Sequence, residues 1–231
     1  RDPDCRGKAY ECFENNVMGT LNLMKHASNK KIKQFIFASS EWVYDEFNDN
    51  KPKNEDHVIN SQNLTSEYAL SKLTSEINLH QQFLQGFMDV TILRFWIIYG
   101  PRKFNWSAVE SIANQVKNND VIEVNSLKNA RRFIHVSDIA KANLSAMLSE
   151  TNSGFFNIGT EIPTSINNLA KLMVEISNHK YKTILGPELE GDVKISQADM
   201  NSTNKVFNWT HKINLLDGLR DLINNYLSLN S

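Results

Sequence analysis

The residues best placed to do chemistry are in Ser66-Glu67-Tyr68-Ala69-Leu70-Ser71-Lys72, inside a run patterned as a helix. Tyr68 and Lys72 are four positions apart, so a helix stacks them on one face, about one turn from each other. A free phenol, with a pKa near ~10, is a poor base at neutral pH. An ammonium one turn away favours the phenolate, and a second bound cation favours it further. Bringing that pKa from ~10 to ~7 takes about 4 kcal/mol of differential stabilisation. One exposed lysine does not supply that, whereas a lysine with a second cation in a dry site does. The same pair also arises in helices by chance, so its meaning depends on the elements around it.

Those elements alternate. A helix is predicted from Tyr10 to Ser28, with Val17, Leu21 and Met24 as its apolar stripe. Lys33-Gln34-Phe35-Ile36-Phe37-Ala38 reads as a short apolar strand, followed by Ser39-Ser40-Glu41-Trp42-Val43-Tyr44. Asp45 to Thr65, rich in Asn and Asp and holding Pro52, reads as a long loop; loops of that length in compact domains are usually functional or mobile. The Tyr68 helix runs on to Phe87, and Val90-Thr91-Ile92-Leu93-Arg94-Phe95 is the next strand, ended by Tyr99-Gly100-Pro101. Continuous apolar strands separated by helices predict a parallel sheet covered on both faces.

After Pro101 the elements shorten. Asn105 to Lys117 reads as a helix, Val121 to Val124 and Arg131 to Val136 as strands, and Ser137 or Asp138 as the cap of a helix through Ser149. Phe155 to Gly159 is a further strand, and helices over Ser165–Ser177 and Leu215–Leu227 follow. No repeat or low-complexity segment interrupts the rhythm.

The 231 residues suffice for one large core or two small ones, and the net charge of -1 leaves no basic block or acidic tail for nucleic acid or an anionic membrane. No apolar run approaches the ~18 residues of a membrane span, so a cytoplasmic protein is expected. Cys5 and Cys12 lack partners for a zinc cluster and are expected to be free thiols in a reducing compartment, with no metal site. Asn-X-Ser/Thr triplets such as Asn105-Trp106-Ser107 are read as coincidence in an Asn-rich chain.

Taken in order, the blocks resemble an extended short-chain dehydrogenase/reductase of the NAD-dependent epimerase/dehydratase kind acting on sugar nucleotides. Asn16-Val17-Met18-Gly19-Thr20 is similar to the family's Asn-Val-X-Gly-Thr block, Phe35 to Tyr44 to the strand delivering the catalytic Ser/Thr, and Tyr68-Ala69-Leu70-Ser71-Lys72 to Tyr-XXX-Lys. Leu93-Arg94-Phe95 through Tyr99-Gly100-Pro101 is similar to the strand lining the nicotinamide site. Arg131-Arg132-Phe133-Ile134-His135-Val136-Ser137-Asp138 resembles Arg-Asp-Phe-Ile-His-Val-X-Asp, and Phe156-Asn157-Ile158-Gly159, Gly191-Asp192 and Asn208-Trp209 resemble the carboxyl-terminal blocks.

The resemblance implies an enzyme with NAD or NADP as cofactor and a nucleotide-sugar or related small molecule as substrate, a homodimer when intact. Tyr68 is then the general acid/base, Lys72 the residue that holds the nicotinamide ribose and lowers the Tyr68 pKa, and Ser40 the donor to the substrate oxygen, with Ser39 in that role if the block is shifted by one. Asn16 and Trp96 are expected beside the cofactor, and Arg131 on the substrate diphosphate, where a guanidinium fork suits paired oxygens. An exposed arginine pair is the competing reading of Arg131 and Arg132. His135 is expected to be a packed, hydrogen-bonded histidine.

Four departures from the family pattern bear on function. Ile97 stands where sugar-nucleotide enzymes often carry Asn, and Leu189 where a second phosphate-binding Arg would fall; neither side chain hydrogen-bonds. Glu41-Trp42 replaces the Asp-Glu of 4,6-dehydratases, which favours epimerisation or simple oxidoreduction over dehydration. The Gly-X-X-Gly-X-X-Gly turn that seats a dinucleotide pyrophosphate is not in this sequence. The chain opens on Arg1 rather than Met, and about two βαβ units of roughly 30 residues are expected ahead of it.

The expected fold is α/β: a partial doubly wound, Rossmann-type parallel sheet with a smaller mixed α/β substrate-binding region. Residues 1–100 are assigned to the carboxyl-terminal part of the dinucleotide-binding domain, with 131–158 returning to it, and 101–130 and 159–231 to the substrate region. The expected function is an NAD(P)-dependent epimerase or oxidoreductase on a sugar nucleotide. The alternatives are a reductase or dehydrogenase of a smaller carbonyl compound or polyol, and a non-catalytic binding protein lacking the cofactor half.

Overall fold

The structure, a computed structural model, describes residues 1–44, 51–101, 107–118, 121–124, 128–150, 153–178, 182–185 and 198–228. The Asn105-Trp106 pair, Leu189 and Gly191-Asp192 lie outside them.

Helix α1 (Asp2–Cys5) ends before Gly7, whose φ of 68° turns the chain into α2 (Ala9–Phe13). That turn brings the Cα atoms of Cys5 and Cys12 to 5.2 Å, and the two form a disulfide. The expectation of free thiols is therefore corrected: the short helices on either side of Gly7 place the two sulfurs together. A π-helical turn, Glu14–Met18, continues α2 into α3 (Gly19–Asn29), so the predicted helix is one helical run with a widened turn in its middle.

Strand β1 (Gln34–Ser40) runs through a 3-10 turn, Glu41–Val43, which Ser40 caps by accepting from the Trp42 N–H. A second 3-10 turn, Ser61–Asn63, precedes α4 (Glu67–Leu84), whose N-cap, Ser66, accepts from the Ala69 N–H. Strand β2 (Asp89–Phe95) lies parallel beside β1 and is followed by β3 (Ile97–Tyr99). Then come α5 (Ala108–Asn118), β4 (Val121–Val124), β5 (Ala130–Arg131) and β6 (Phe133–His135).

The single strand expected over Arg131–Val136 is thus two. Strand β5 pairs antiparallel with β8 (Thr164–Ser165), while β6 pairs parallel with β3, so the partner changes at Arg132. Helix α6 (Val136–Leu148) is capped by neither Ser137 nor Asp138 but by His135, whose imidazole accepts from the Ser137 N–H. Strand β7 (Gly154–Ile158) completes a parallel sheet of order β1-β2-β7, and α7 (Ile166–Ser177), β9 (Lys182–Leu185), α8 (Asn201–Phe207) and α9 (Leu215–Ser228) follow. The β1 side of this sheet is an edge among the described residues.

Alternate residues on β1 and β2 serve different clusters, as the two-residue period of a strand requires. Phe37, Val90 and Ile92 pack with Leu79 and Phe83 of α4 and with Met24 of α3. Leu93 and Ile36 pack with Ile139, Ala142 and Ala146 of α6, joined by Phe207 of α8 and Trp209. The sheet is therefore covered on both faces, the doubly wound arrangement predicted from its apolar strands. A second core gathers Tyr99, Ile112, Phe133, Leu169, Met173 and Leu222 from β3, α5, β6, α7 and α9. Strand β4 pairs parallel with β9 at its margin.

No helix among the described residues is long and apolar enough to cross a membrane.

Candidate active site

A cavity of about 520 Å³ opens between the carboxyl ends of β1 and β2 and the second core. Ser40, Tyr68, Lys72, Trp96 and Arg131 all line it, so five of the six predicted site residues share one space. Ligand sites at the carboxyl ends of parallel strands are the general rule for open α/β sheets.

Helix α4 presents Tyr68 and Lys72 on the face turned to β1. Lys72 donates from Nζ to the Ala38 carbonyl at 2.9 Å, with the ammonium 4.9 Å from the Phe37 ring centroid and 5.9 Å from that of Tyr68. Ser40 ends β1, and its hydroxyl oxygen accepts from Trp42 N at 3.3 Å. The Ser40 side chain also acts on the Tyr68 phenol, lowering its pKa. Ser39 also lines the cavity, but its hydroxyl oxygen is buried and makes no hydrogen bond, and it is Ser40 that acts on Tyr68.

The electrostatics of Tyr68 are set first by burial, which raises the phenol pKa above its ordinary value. The Ser40 hydroxyl opposes that shift, and the carboxylates of Asp2 and Glu41 add to it. Burial pushes the Lys72 ammonium down, against an upward pull from Glu76. In the chain by itself burial thus outweighs the lowering expected from Lys72, and Tyr68 holds its proton through neutral pH.

Asn16 lies elsewhere, in the π-helical turn. Its side-chain amide donates to Ser71 Oγ at 2.9 Å, and its carbonyl accepts from Ser75 Oγ at 3.1 Å. It ties that turn to α4 and does not line the cavity. Trp96 is buried in the cavity wall, its backbone N–H donating to the Ile158 carbonyl at 3.1 Å. The next residue, Gly159, leaves room for the indole: a Cβ there would stand 3.2 Å from Trp96 Cβ and Cγ.

The opposite wall comes from the second core. Arg131, on β5, is buried rather than part of an exposed pair, and one of its nitrogens donates to its neighbour's carbonyl, Ala130 O, at 3.0 Å. Arg132 is buried too, hydrogen-bonded to the Thr160 carbonyl and drawn to Glu41 and Glu161. Glu41 and Arg132 therefore attract each other. Ile97 and Ile98 of β3 form an apolar stretch of this wall, with Ser107 and Ser111 at the start of α5. His135 is packed as expected, edge-on to Tyr99 with ring centroids 5.3 Å apart.

Sequence reasoning did not find Asp2, Arg6, Ser111 or Asn129, which also line the cavity. Asp2 is buried, accepts from the Ser66 hydroxyl at the α4 N-cap and holds Arg6 Nε at 2.9 Å. No local pattern announces a contact between residues more than sixty positions apart. Among the described residues no three His, Cys, Asp or Glu side chains gather as metal ligands.

The residues present fit the nicotinamide-ribose end of a dinucleotide: a lysine ammonium and two hydroxyls converge on one cavity beside a strand end. The Gly-rich turn for a pyrophosphate is not among these residues.

A sequence model of the NAD dependent epimerase/dehydratase family matches residues 2–159. The UDP-glucuronate 4-epimerase of Thermodesulfobacterium geofontis is 24% identical over 91% of this chain and 64% of its own length. The dTDP-D-glucose 4,6-dehydratase of Dictyostelium discoideum is 31% identical over 71% of this chain and 40% of its own. Among solved structures, UDP-glucose 4-epimerase of Thermotoga maritima with UDP-glucose superposes with a TM-score of 0.90 at 25% identity, covering 97% of this chain and 73% of that one. The chain spans about two thirds of the length of curated relatives it matches, between 64% and 68% of three of them.

Proposed function

The chain belongs to the NAD-dependent epimerase/dehydratase family, and on that premise we propose that it carries the acid/base and substrate-binding half of an NAD(P)-dependent sugar-nucleotide epimerase. The observation that carries this reading is the single cavity lined by Ser40, Tyr68 and Lys72 on one side and by Arg131 on the other. The named relatives, which act on UDP- and dTDP-sugars, support it.

When bound, the nicotinamide supplies the hydride acceptor and donor. Tyr68 takes the proton of the substrate hydroxyl at its phenol oxygen as that carbon is oxidised, and returns it on reduction. Ser40 donates to the same substrate oxygen, where charge changes most between ground and transition state. The raised phenol pKa suits the proton-returning step directly. For the proton-taking step the phenol needs further positive charge nearby, which the Lys72 ammonium would supply together with the charge of a bound cofactor. Arg131 holds the diphosphate through its fork. The buried placement of Glu41, drawn to Arg132, with Trp42 next in the chain, supports epimerisation over loss of water, since Trp42 has no titratable group to serve as acid or base.

Ile97 favours a second reading, reduction of a smaller carbonyl compound or polyol, because an aliphatic side chain in the substrate wall makes no hydrogen bond to a sugar or phosphate. A homodimer is supported by Leu70, Ile77 and Leu84, exposed apolar residues spaced seven apart along α4.

Tyr68→Phe removes the transferable proton and keeps the ring. Conversion of UDP-glucose to its C4 epimer in the presence of NAD⁺ should fall by about 10²–10⁴, the usual range for a lost general acid/base, with the circular dichroism spectrum unchanged. A loss smaller than threefold would remove Tyr68 from the chemistry.

A further inference from the structure

Beneath the Tyr68–Lys72 face, α4 carries a charge the chemistry above does not use. Glu76, one turn beyond Lys72, is 1% exposed, and Arg94 of β2, 3% exposed, grips it with both arms of its fork. Arg94 Nε donates to Oε1 at 3.1 Å and Nη2 to Oε2 at 2.7 Å. The third nitrogen, Nη1, donates to the Tyr44 hydroxyl at 3.1 Å, and that hydroxyl donates onward to Asn157 Oδ1 at 2.7 Å. Burial pushes the Tyr44 phenol up to about 12, so it keeps the proton it donates. The guanidinium also lies 4.9 Å from the ring centroids of both Tyr44 and Phe155. Arg94 is thus fixed from every side.

A buried ion pair is a poor device for stability alone, because apolar residues of similar volume are often as good or better. The position of Glu76 supplies another reason for it. A lysine and a glutamate at i and i+4 on a helix ordinarily meet. Here they do not: the Lys72 ammonium turns the other way, to the Ala38 carbonyl. The groups facing Lys72 are Tyr68 and Glu76 from its own helix and the Phe37 ring and Ala38 carbonyl from β1. Asp2 and Glu41 act on the neighbouring Tyr68, and Arg94 acts on Lys72 only through Glu76.

We propose that Arg94 is a positioning residue: by occupying both oxygens of Glu76 it withholds that carboxylate from Lys72, leaving the ammonium beside Tyr68 and the cavity. What Lys72 then does rests on the function proposed above; where Lys72 sits does not. The placement also accounts for a fully engaged arginine two residues before Trp96 in a strand that leads into the cavity wall.

The test is competitive labelling of Lys72 with trace acetic anhydride across pH, read peptide by peptide by mass spectrometry, with no substrate or cofactor present. In Arg94→Met the released carboxylate captures Lys72, so its labelling at a fixed pH below its pKa should fall about tenfold, an upward shift of about one pH unit. In Arg94→Met with Glu76→Met the captor is gone, and labelling should return to within threefold of the parent. A merely structural pair predicts no rescue by the second substitution, and that result would overturn the proposal, as would unchanged labelling in a folded Arg94→Met. If Arg94→Met does not fold, Arg94→Lys, which holds one oxygen only, takes its place: a fall in labelling reversed by Glu76→Met in the same chain supports the proposal, and no fall overturns it. Because the readout is the amine itself, success or failure is independent of whether the chain is an epimerase.

Discussion

The two walls of the cavity are built on different principles. The wall of β1 and α4 places its polar groups by regular elements: Ser40 and Ser66 are caps, Tyr68 and Lys72 are one helical turn apart, and Lys72 is tied across to Ala38 of the neighbouring strand. The wall of β3, α5 and β5 is drawn from three short elements within residues 97–131, and its polar side chains, Arg131, Asn129, Glu123, Ser107 and Ser111, stand beside Ile97 and Ile98. The difference separates reaction from recognition. Proton transfer needs a few atoms held to a fraction of an ångström, which helix and strand ends provide. Recognition tolerates replacement of one contact by another, and this wall carries the departure at Ile97.

Perturbing each wall should therefore produce a different kind of loss. On the first, Ser40→Ala removes a donor to the reacting oxygen and should lower turnover by about 10²–10³. The same substitution removes the hydroxyl that holds the Tyr68 phenol down, so the phenol pKa rises further. The limb of the pH–rate profile that reports a deprotonated base should move to higher pH, measured from pH 6 to 10; a shift to lower pH contradicts the assignment. On the second wall, Arg131→Ala should weaken a UDP-sugar by about 1.5–3 kcal/mol, or roughly ten- to 150-fold, by calorimetry, with the pH profile unmoved. The smallest effect is a gain. Ile97→Asn restores a donor and should tighten UDP-sugar binding by about 0.5–1.5 kcal/mol, the net value of one hydrogen bond; weaker binding favours the smaller-carbonyl reading.

The first wall was legible in sequence and much of the second was not, for the same reason the walls behave differently. Tyr68, Lys72 and Ser40 stand in continuous blocks whose periodicity also announces β1, α4 and β2. Strands β5 and β8 are two residues each and exist only through their antiparallel pairing, so no local pattern marks them. Helix α1 is four residues and α8 seven, too short for an apolar period to stand out. His135 caps α6 although Ser137 and Asp138 are better caps by type, because Asp138 is engaged by the N–H groups of Lys212 and Ile213. The Cys5–Cys12 disulfide was missed because their partnership depends on the turn at Gly7 rather than on any spacing rule. Glu76, in contrast, was readable as a charge one turn from Lys72; what the sequence withheld was Arg94, on the next strand, as its partner.

Whether the two walls serve one ligand is answered most directly by following backbone and arginine side-chain NMR resonances of the isotopically labelled protein during titration with UDP-glucose. One cavity lined by Arg131 and by Ser40, Tyr68 and Lys72 predicts saturable shifts on both walls with a single dissociation constant, and loss of both sets together in Arg131→Ala. Shifts confined to one wall, or two sets saturating at different concentrations, would contradict it.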